Sequence, residues 1–294
     1  MIDAMRVGVV DVGSNTVRLV VARRNVCLEP VHEARAYLRL GDEIDRHGWI
    51  SEAKLRETVQ CVRRYAREAV EHGAHHVEVV ITAPGRLAQN ADELVDAIAQ
   101  GAAAHVRVLA AEEEGLLAFA GALACVRRVP ESVAVCDSGG GSTELVVGTP
   151  GAPQWVRSLD LGSLTVRRLL SDDPPGLDAV AAARAAVRAS LDGVVPPLPR
   201  AAYATGGTAR ALCRVIGRTL DAEKLDETIS RLARRRAKEI ARKHDLDPNR
   251  AWSLIGGAIV LAEVQNRLGV PFEVARTGLR EGVAAMAFAE LAAA

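Results

Sequence analysis

Aromatic side chains are scarce: Phe, Trp and Tyr together make up only 3% of 294 residues. Rings normally supply much of a core's buried area, so this core has to be assembled from closely packed Ala, Leu and Val surfaces. Net charge is missing too, because 37 Lys and Arg offset 37 Asp and Glu. That balance excludes a chain basic throughout, of the kind that coats nucleic acid or an anionic membrane, and leaves charged partners to be argued from local patches. The five cysteines (Cys27, Cys61, Cys125, Cys136 and Cys213) are far apart and form no CxxC, so they read as reduced core thiols of a cytosolic protein. No HExxH occurs, and His75 and His76 are adjacent rather than one helical turn apart; a zinc site is not expected. No apolar run approaches the roughly 18 residues of a membrane span. Strand patterning begins within six residues of the start, so the chain is expected to be soluble and cytoplasmic, with no membrane partner.

What is present is globular material, 49% hydrophobic and 25% charged, which excludes a disordered or low-complexity chain. The length suits about two domains. Short apolar runs at 7–10 and 17–22 flank a Gly turn and predict a β-hairpin. Over 52–72, Leu55, Val59, Val62, Ala66 and Ala69 recur at helical steps until Gly73 ends the pattern. A strand at 77–82 follows, then a helix to about Ala103 opened by an Asn90/Glu93 capping box, a strand at 106–109 and a helix at 112–124. The hairpin pattern restarts with 133–136 and 145–147. This places a domain boundary near Arg127, giving domains 1–126 and 127–294, the last helix from about 280 being able to pack back on the first. Beyond the loop at 172–176, a helix at 177–191, a short strand at 203–205 and helices at 208–218, 225–243, 249–268 and 280–291 are expected. Alternating strands and helices in both halves argue an α/β fold.

An internal repeat carries the functional reading. DVGSNTVRLVV from Asp11 and DSGGGSTELVV from Asp137 align without a gap, 126 residues apart. In each, a strand delivers an Asp into a Gly/Ser/Thr turn and returns, exposing consecutive amides and hydroxyls in an anion cradle. Gly13, Gly139, Gly140 and Gly141 omit the Cβ that would block a phosphate oxygen, while Ser14, Thr16, Ser142 and Thr143 add hydroxyl donors. Asp11 and Asp137 would repel phosphate directly, so their expected role is to hold Mg²⁺. One such turn alone is an ordinary hairpin; two copies point to a shared purpose. A third turn, ATGGTARAL from Ala204, opens a helix with the amides of Gly207 and Thr208, and Arg210 follows.

With ITAPGRLAQN at 81–90, LAAEEEGLLAFAGAL at 109–123 and GLREG from Gly278 added to these turns, nearly the whole chain resembles the exopolyphosphatase and guanosine pentaphosphate phosphatase (Ppx/GppA) family. The resemblance implies two duplicated actin-like (ribonuclease H-like) domains with an interdomain cleft lined by the Asp11, Asp137 and Gly206 turns. It also implies Mg²⁺-dependent removal of the terminal phosphate of inorganic polyphosphate, with Mn²⁺ as an alternative ion. Its catalytic glutamate falls on Glu114, with Glu113 as the rival; its arginine falls on Arg86, and its second-loop acids on Asp137 and Glu144. The phosphate contacts expected on this basis are Gly13, Ser14, Asn15, Thr16, Arg86, Gly139, Gly140, Gly141, Ser142, Thr143, Gly206, Gly207, Thr208 and Arg210, and the metal ligands are Asp11, Asp137 and Glu144. A phosphorylated guanine nucleotide is the alternative substrate, a sensor with little turnover the alternative of another class, and a homodimer the expected assembly.

The chain departs from the family pattern at Thr82-Ala83-Pro84-Gly85, at Ala110-Ala111, at Leu116 in place of an Arg, and at Trp252 in place of an acid. The one strong basic run, RLARRRAKEIARK at 231–243, reads as part of a helix. It is either a solvated face or a wall that steers a polyanion; nucleic acid is disfavoured because aromatic platforms are absent nearby.

Overall fold

A computed structural model describes residues 5–25, 27–102 and 104–293. The chain divides into two compact units, one of Met1–Val126 with Thr277–Ala294, the other of Arg127–Arg276.

The first unit runs β1 (Arg6–Val12), β2 (Thr16–Arg24), β3 (Leu28–Tyr37), α1 (Leu40–His47), α2 (Glu52–Glu71), β4 (His76–Ile81), α3 (Ala83–Leu87), α4 (Ala91–Ala102), β5 (His105–Val108) and α5 (Ala111–Leu123). Its sheet order is β3-β2-β1-β4-β5. The first three strands are antiparallel neighbours, and β1, β4 and β5 are parallel. β1 is buried on both faces because its residues alternate between two cores. Val10 and Val12 pack with Val62, Ile98 and the rest of the α2 and α4 layer. Val7 and Val9 pack with Ala118 of α5 and with Leu279, Val283 and Phe288 of the C-terminal helix. That helix therefore belongs to this unit by its apolar face. α2 is capped by Ser51, which accepts from the Lys54 amide, and ends before Gly73 at φ +80°.

Two expectations change here. β3 went unread because it is an edge strand whose residues alternate between half-buried and exposed, with Pro30 inside it. Asn90 does not cap α4 with its oxygen: Oδ1 accepts from the Ile50 amide and Nδ2 donates to the Ile50 carbonyl, both at 2.9 Å. Only the Nδ2 contact to Glu93 survives from the proposed box, and Ala103 lies outside the described residues.

The second unit runs β6 (Val133–Ser138), β7 (Thr143–Thr149), β8 (Ala152–Leu159), α6 (Ser163–Arg168), α7 (Leu177–Ser190), β9 (Ala201–Thr205), α8 (Gly206–Ile216), β10 (Thr219–Leu220), α9 (Ala222–Leu232), α10 (Ala237–His244), α11 (Pro248–Leu268) and β11 (Phe272–Val274), and the C-terminal helix is α12 (Leu279–Ala293). The sheet order β10-β11-β9-β6-β7-β8 repeats the order of the first unit with one added edge strand. The sequence repeat is thus a repeat of topology.

The single helix expected over 225–243 is two helices. The Asp173 carboxylate accepts from the Ala237 amide at 2.9 Å, and the Gly176 amide donates to the Ala233 carbonyl at 3.0 Å. These long-range partners restart the helix at Ala237 and leave Arg234, Arg235 and Arg236 in a turn. Among the described residues no helix is long and apolar enough to cross a membrane.

Candidate active site

In the first unit the candidate residues gather at the C-terminal ends of β1, β4 and β5, the edge where open α/β sheets receive ligands. β1 delivers Asp11 into the turn of Gly13, Ser14, Asn15 and Thr16, closed by the Gly13 amide donating to the Thr16 carbonyl at 3.0 Å. The start of α1 supports it from behind: the Gly41 amide donates to the Ser14 carbonyl at 2.8 Å. The buried Nδ2 of Asn15 has no hydrogen-bond partner among the described residues. Gly13 has no left-handed backbone, and a Cβ there would meet nothing nearer than the Thr16 carbonyl oxygen at 3.4 Å. Folding does not demand glycine at that position, and the missing methyl leaves room for a ligand against the amides.

β4 leads through Thr82, whose amide donates to the Val12 carbonyl at 3.1 Å, so the Gly13 turn and α3 share one strand end. Arg86 Nη1 donates to the Leu109 carbonyl at 2.8 Å and lies 2.9 Å from Glu114 Oε2. Glu114 is 7% exposed in the first turn of α5. Glu113 points elsewhere: its Oε1 meets Arg107 Nη2 at 2.5 Å, and Arg107 Nη1 reaches Met286 Sδ of α12. The departures from the family pattern also find places. Pro84 lies in the first turn of α3, and Gly85 lets that helix lie on β5, since a Cβ would come 2.9 Å from Val108 Cγ1. Leu116 is an exposed side chain of α5.

In the second unit β6 delivers Asp137 into the turn closed by the Gly139 amide and the Ser142 carbonyl at 2.9 Å, the bond made by Gly13 and Thr16 in the first unit. Here the support is α6: the Ser163 amide donates to the Gly139 carbonyl at 3.0 Å and the Leu164 amide to the Gly140 carbonyl at 2.9 Å. Gly162 is required for that approach, because a Cβ would lie 2.2 Å from the Gly140 oxygen. Sequence reasoning missed Gly162 and Ser163, whose relation to the turn exists only in space. α6 is itself fixed by the buried Arg167, which donates from Nε to the Trp252 carbonyl at 3.1 Å and holds its guanidinium 4.6 Å from the Trp252 ring centroid. Trp252 thus has a packing role.

Asp137 stands opposite Glu144 in the β6–β7 ladder, and Ser158 Oγ of β8 donates to Glu144 Oε1 at 3.0 Å. The third turn closes on the same place. Gly206 has φ +90°, and a Cβ would lie 2.7 Å from Asp137 Oδ1. The amides of Gly207 and Thr208 open α8, and half-buried Arg210 follows one turn on from Gly206. One hydroxyl expectation is corrected. Thr143 Oγ1 is spent inside the fold, donating to the Leu161 carbonyl at 2.5 Å. The Thr208 side chain is fully buried against Gly257, so its amide, the group expected there, is what it offers at the helix start. Cys136 beside them is fully buried, and burial first, then Asp137 and Glu144, push its thiol well up, so it stays protonated and inert.

Asp137 and Glu144 offer two hard carboxylates on one face of a hairpin, and among the described residues no group of three or more His, Cys, Asp or Glu forms a closed cage. Mg²⁺ is commonly held by one or two carboxylates, with water and phosphate completing its shell. The donor set fits an ion of that kind.

Two mixed sheets of matching strand order, each sending an Asp into a Gly-rich turn, define a protein of two actin-like domains. The chain matches the Ppx/GppA phosphatase family over residues 19–289, and it belongs to that family. It is 30% identical over 299 residues to exopolyphosphatase 1 of Mycobacterium tuberculosis, covering 95% of this chain and 87% of that one. The crystal structure of the Aquifex aeolicus family member superposes with a TM-score of 0.83 at 25% identity, covering 97% of this chain and 98% of the other. An exopolyphosphatase from Cytophaga hutchinsonii shares the fold with a TM-score of 0.84 at 20% identity, covering 97% and 98%.

Proposed function

We propose that this phosphatase-family protein is an exopolyphosphatase that removes the terminal phosphate of inorganic polyphosphate, with Glu114 as general base. The observation that carries the assignment of the base is the 2.9 Å pairing of Arg86 with Glu114 at the strand ends that also hold the Gly13 turn. Arg86 fixes the direction of the carboxylate, and Glu114 accepts a proton from the attacking water. The water oxygen bonds to the terminal phosphorus, the bond from that phosphorus to the bridging oxygen breaks, and orthophosphate leaves. The shortened chain keeps the bridging oxygen and its negative charge. Since such transfer needs positioning and charge stabilisation more than covalent help, the remaining residues bind and orient. The Gly13 and Gly139 turns and the start of α8 present amides to phosphate oxygens, and Arg210 adds a positive charge. Asp137 and Glu144 would hold Mg²⁺, which when bound neutralises phosphate charge.

The name of the M. tuberculosis relative favours polyphosphate over the guanosine pentaphosphate alternative. Purified protein given each substrate with Mg²⁺ should release orthophosphate faster from polyphosphate. Faster release from guanosine pentaphosphate would reverse the assignment, and tight binding without release from either would make the protein a sensor.

A further inference from the structure

The second unit contains a small, shallow recess bounded by Val215 of α8, Thr228, Arg231 and Leu232 of α9, Arg235 of the following turn, and Ile240, Lys243 and His244 of α10. The break between α9 and α10 creates it. By folding the basic run back at Asp173, the chain brings together Arg231, Arg235 and Lys243, which a continuous helix would have spread along its length. Arg231 Nη2 is held by donating to Thr228 Oγ1 at 2.8 Å. Among the described residues none of the three cations is paired with a carboxylate, and no acid lines the recess. Its floor is Val215, Leu232 and Ile240, a low-dielectric wall that strengthens the field of the cations above it. Val215 lies near the C-terminal end of α8, roughly 13 Å along the helix from Gly206, so the recess is distinct from the turn at the start of that helix.

We propose that this recess is an accessory anion site that takes the phosphate groups of an inorganic oligophosphate. The lining selects that chemistry. Arg and Lys are the side chains that bind phosphate oxygens, while no Phe, Tyr, Trp, Asn or Gln lines the recess to stack on or read a nucleobase. That the natural ligand is polyphosphate rests on the function proposed above; the preference for a multiply charged phosphate rests on the recess alone.

His244 provides the test. Burial first, then the charges of Lys243, Arg231 and Arg235, hold its imidazole below the ordinary histidine value. A phosphate anion in the recess opposes those charges, so the His244 pKa should rise. The measurement is a proton NMR titration of the full chain without metal, with tripolyphosphate or with chloride at matched ionic strength, the His244 signal being assigned by its loss in His244→Gln. The expected result is a rise with tripolyphosphate alone, abolished in Arg235→Gln/Lys243→Gln, whose tripolyphosphate affinity should fall about tenfold while its melting temperature is kept. The two substituted residues are exposed, so the fold should tolerate the change. No rise, an equal rise with chloride, an unchanged rise in the double variant, or equal affinity for a single-stranded oligonucleotide would overturn the proposal. Orthophosphate release from polyphosphate is measured separately. Release without a His244 response rejects the recess alone, and a response without release rejects the exopolyphosphatase reading alone.

Discussion

Asp137 lies directly opposite Glu144 in the β6–β7 ladder, whereas Asp11, at the repeated position of the first unit, lies opposite Arg18. Directly opposed residues share a face with their Cβ atoms about 5 Å apart, so the second unit pairs two carboxylates where the first pairs a carboxylate with a guanidinium. The duplicated turns therefore keep their backbone closure and diverge in charge. We expect Asp137→Asn and Glu144→Gln each to weaken Mn²⁺ binding, followed by electron paramagnetic resonance, by at least about tenfold. Asp11→Asn should change it less. Equal losses in all three variants would assign the ion to both turns alike.

The two adjacent glutamates of α5 should separate cleanly in kinetics. Removing a general base costs about 100-fold or more, and that loss in kcat is expected for Glu114→Gln. Glu113→Gln breaks only the partly exposed contact with Arg107, and its kcat should stay within about threefold of wild type, with a stability loss under about 1 kcal/mol. The reverse ranking in orthophosphate release would transfer the role to Glu113.

Much of this arrangement is legible in the amino-acid sequence, and the boundary is physical. The paired hairpins, the amphipathic α2 and the repeat announce themselves within a dozen residues, because period and turn chemistry are local. The third strands β3 and β8 are half exposed at sheet edges, which blurs their alternation. The break before Ala237 depends on Asp173, 64 residues away, so no local period could reveal it. Arg86 and Glu114 each came from the family resemblance, and only the fold shows them paired. The GLREG segment shows its purpose only in the packing of α12. Arg280 donates from Nη1 to the Leu19 carbonyl at 3.0 Å, and Glu281 accepts from the Gly278 amide at 2.7 Å.

Gly13 offers a test of ligand approach separated from folding. A methyl at this position meets no atom within 3.4 Å, so Gly13→Ala should leave stability within about 1 kcal/mol of wild type. The same methyl would intrude on a phosphate oxygen lying against the turn. The Michaelis constant for polyphosphate is expected to rise about tenfold, the equivalent of about 1.4 kcal/mol. An unchanged constant would show that phosphate does not lie against that turn.

Helix α12 reaches α5 through glycines on both sides. A Cβ on Gly121 would fall 2.0 Å from the Gly278 carbonyl oxygen, and one on Gly282 would fall 1.9 Å from that of Leu117. Neither obstacle is a flexible side-chain tip, so the helices must separate to admit a methyl. Gly282→Ala is expected to cost about 3 kcal/mol, the upper part of the range for overpacking, measured by urea unfolding. A loss below about 1 kcal/mol would show that the α5–α12 contact relaxes freely.

The second unit carries a buried acid whose contribution should depend on pH. Glu263, 2% exposed on α11, accepts from Arg184 Nε at 2.6 Å and from Arg188 Nε at 2.7 Å. Burial is the largest single influence and opposes its charge, but the bonds to Arg188 and Arg184 together outweigh it and hold the carboxyl below its ordinary value. A depressed folded pKa contributes stability that is fully present above the unfolded value of about 4.3 and is lost as pH falls through the folded value. Glu263→Gln keeps the size of the side chain but removes the charge-assisted bonds, and at pH 7 it should cost about 2 kcal/mol. As pH falls below about 4.3 the unfolded chain takes up the proton first, so the gap narrows, and the two proteins should converge once pH has passed the lower folded value. Chemical unfolding of both at neutral pH and at successive steps into acid measures that difference directly. A gap that stays constant into acid would mean that Glu263 stabilises the unit through packing, with its charge contributing nothing.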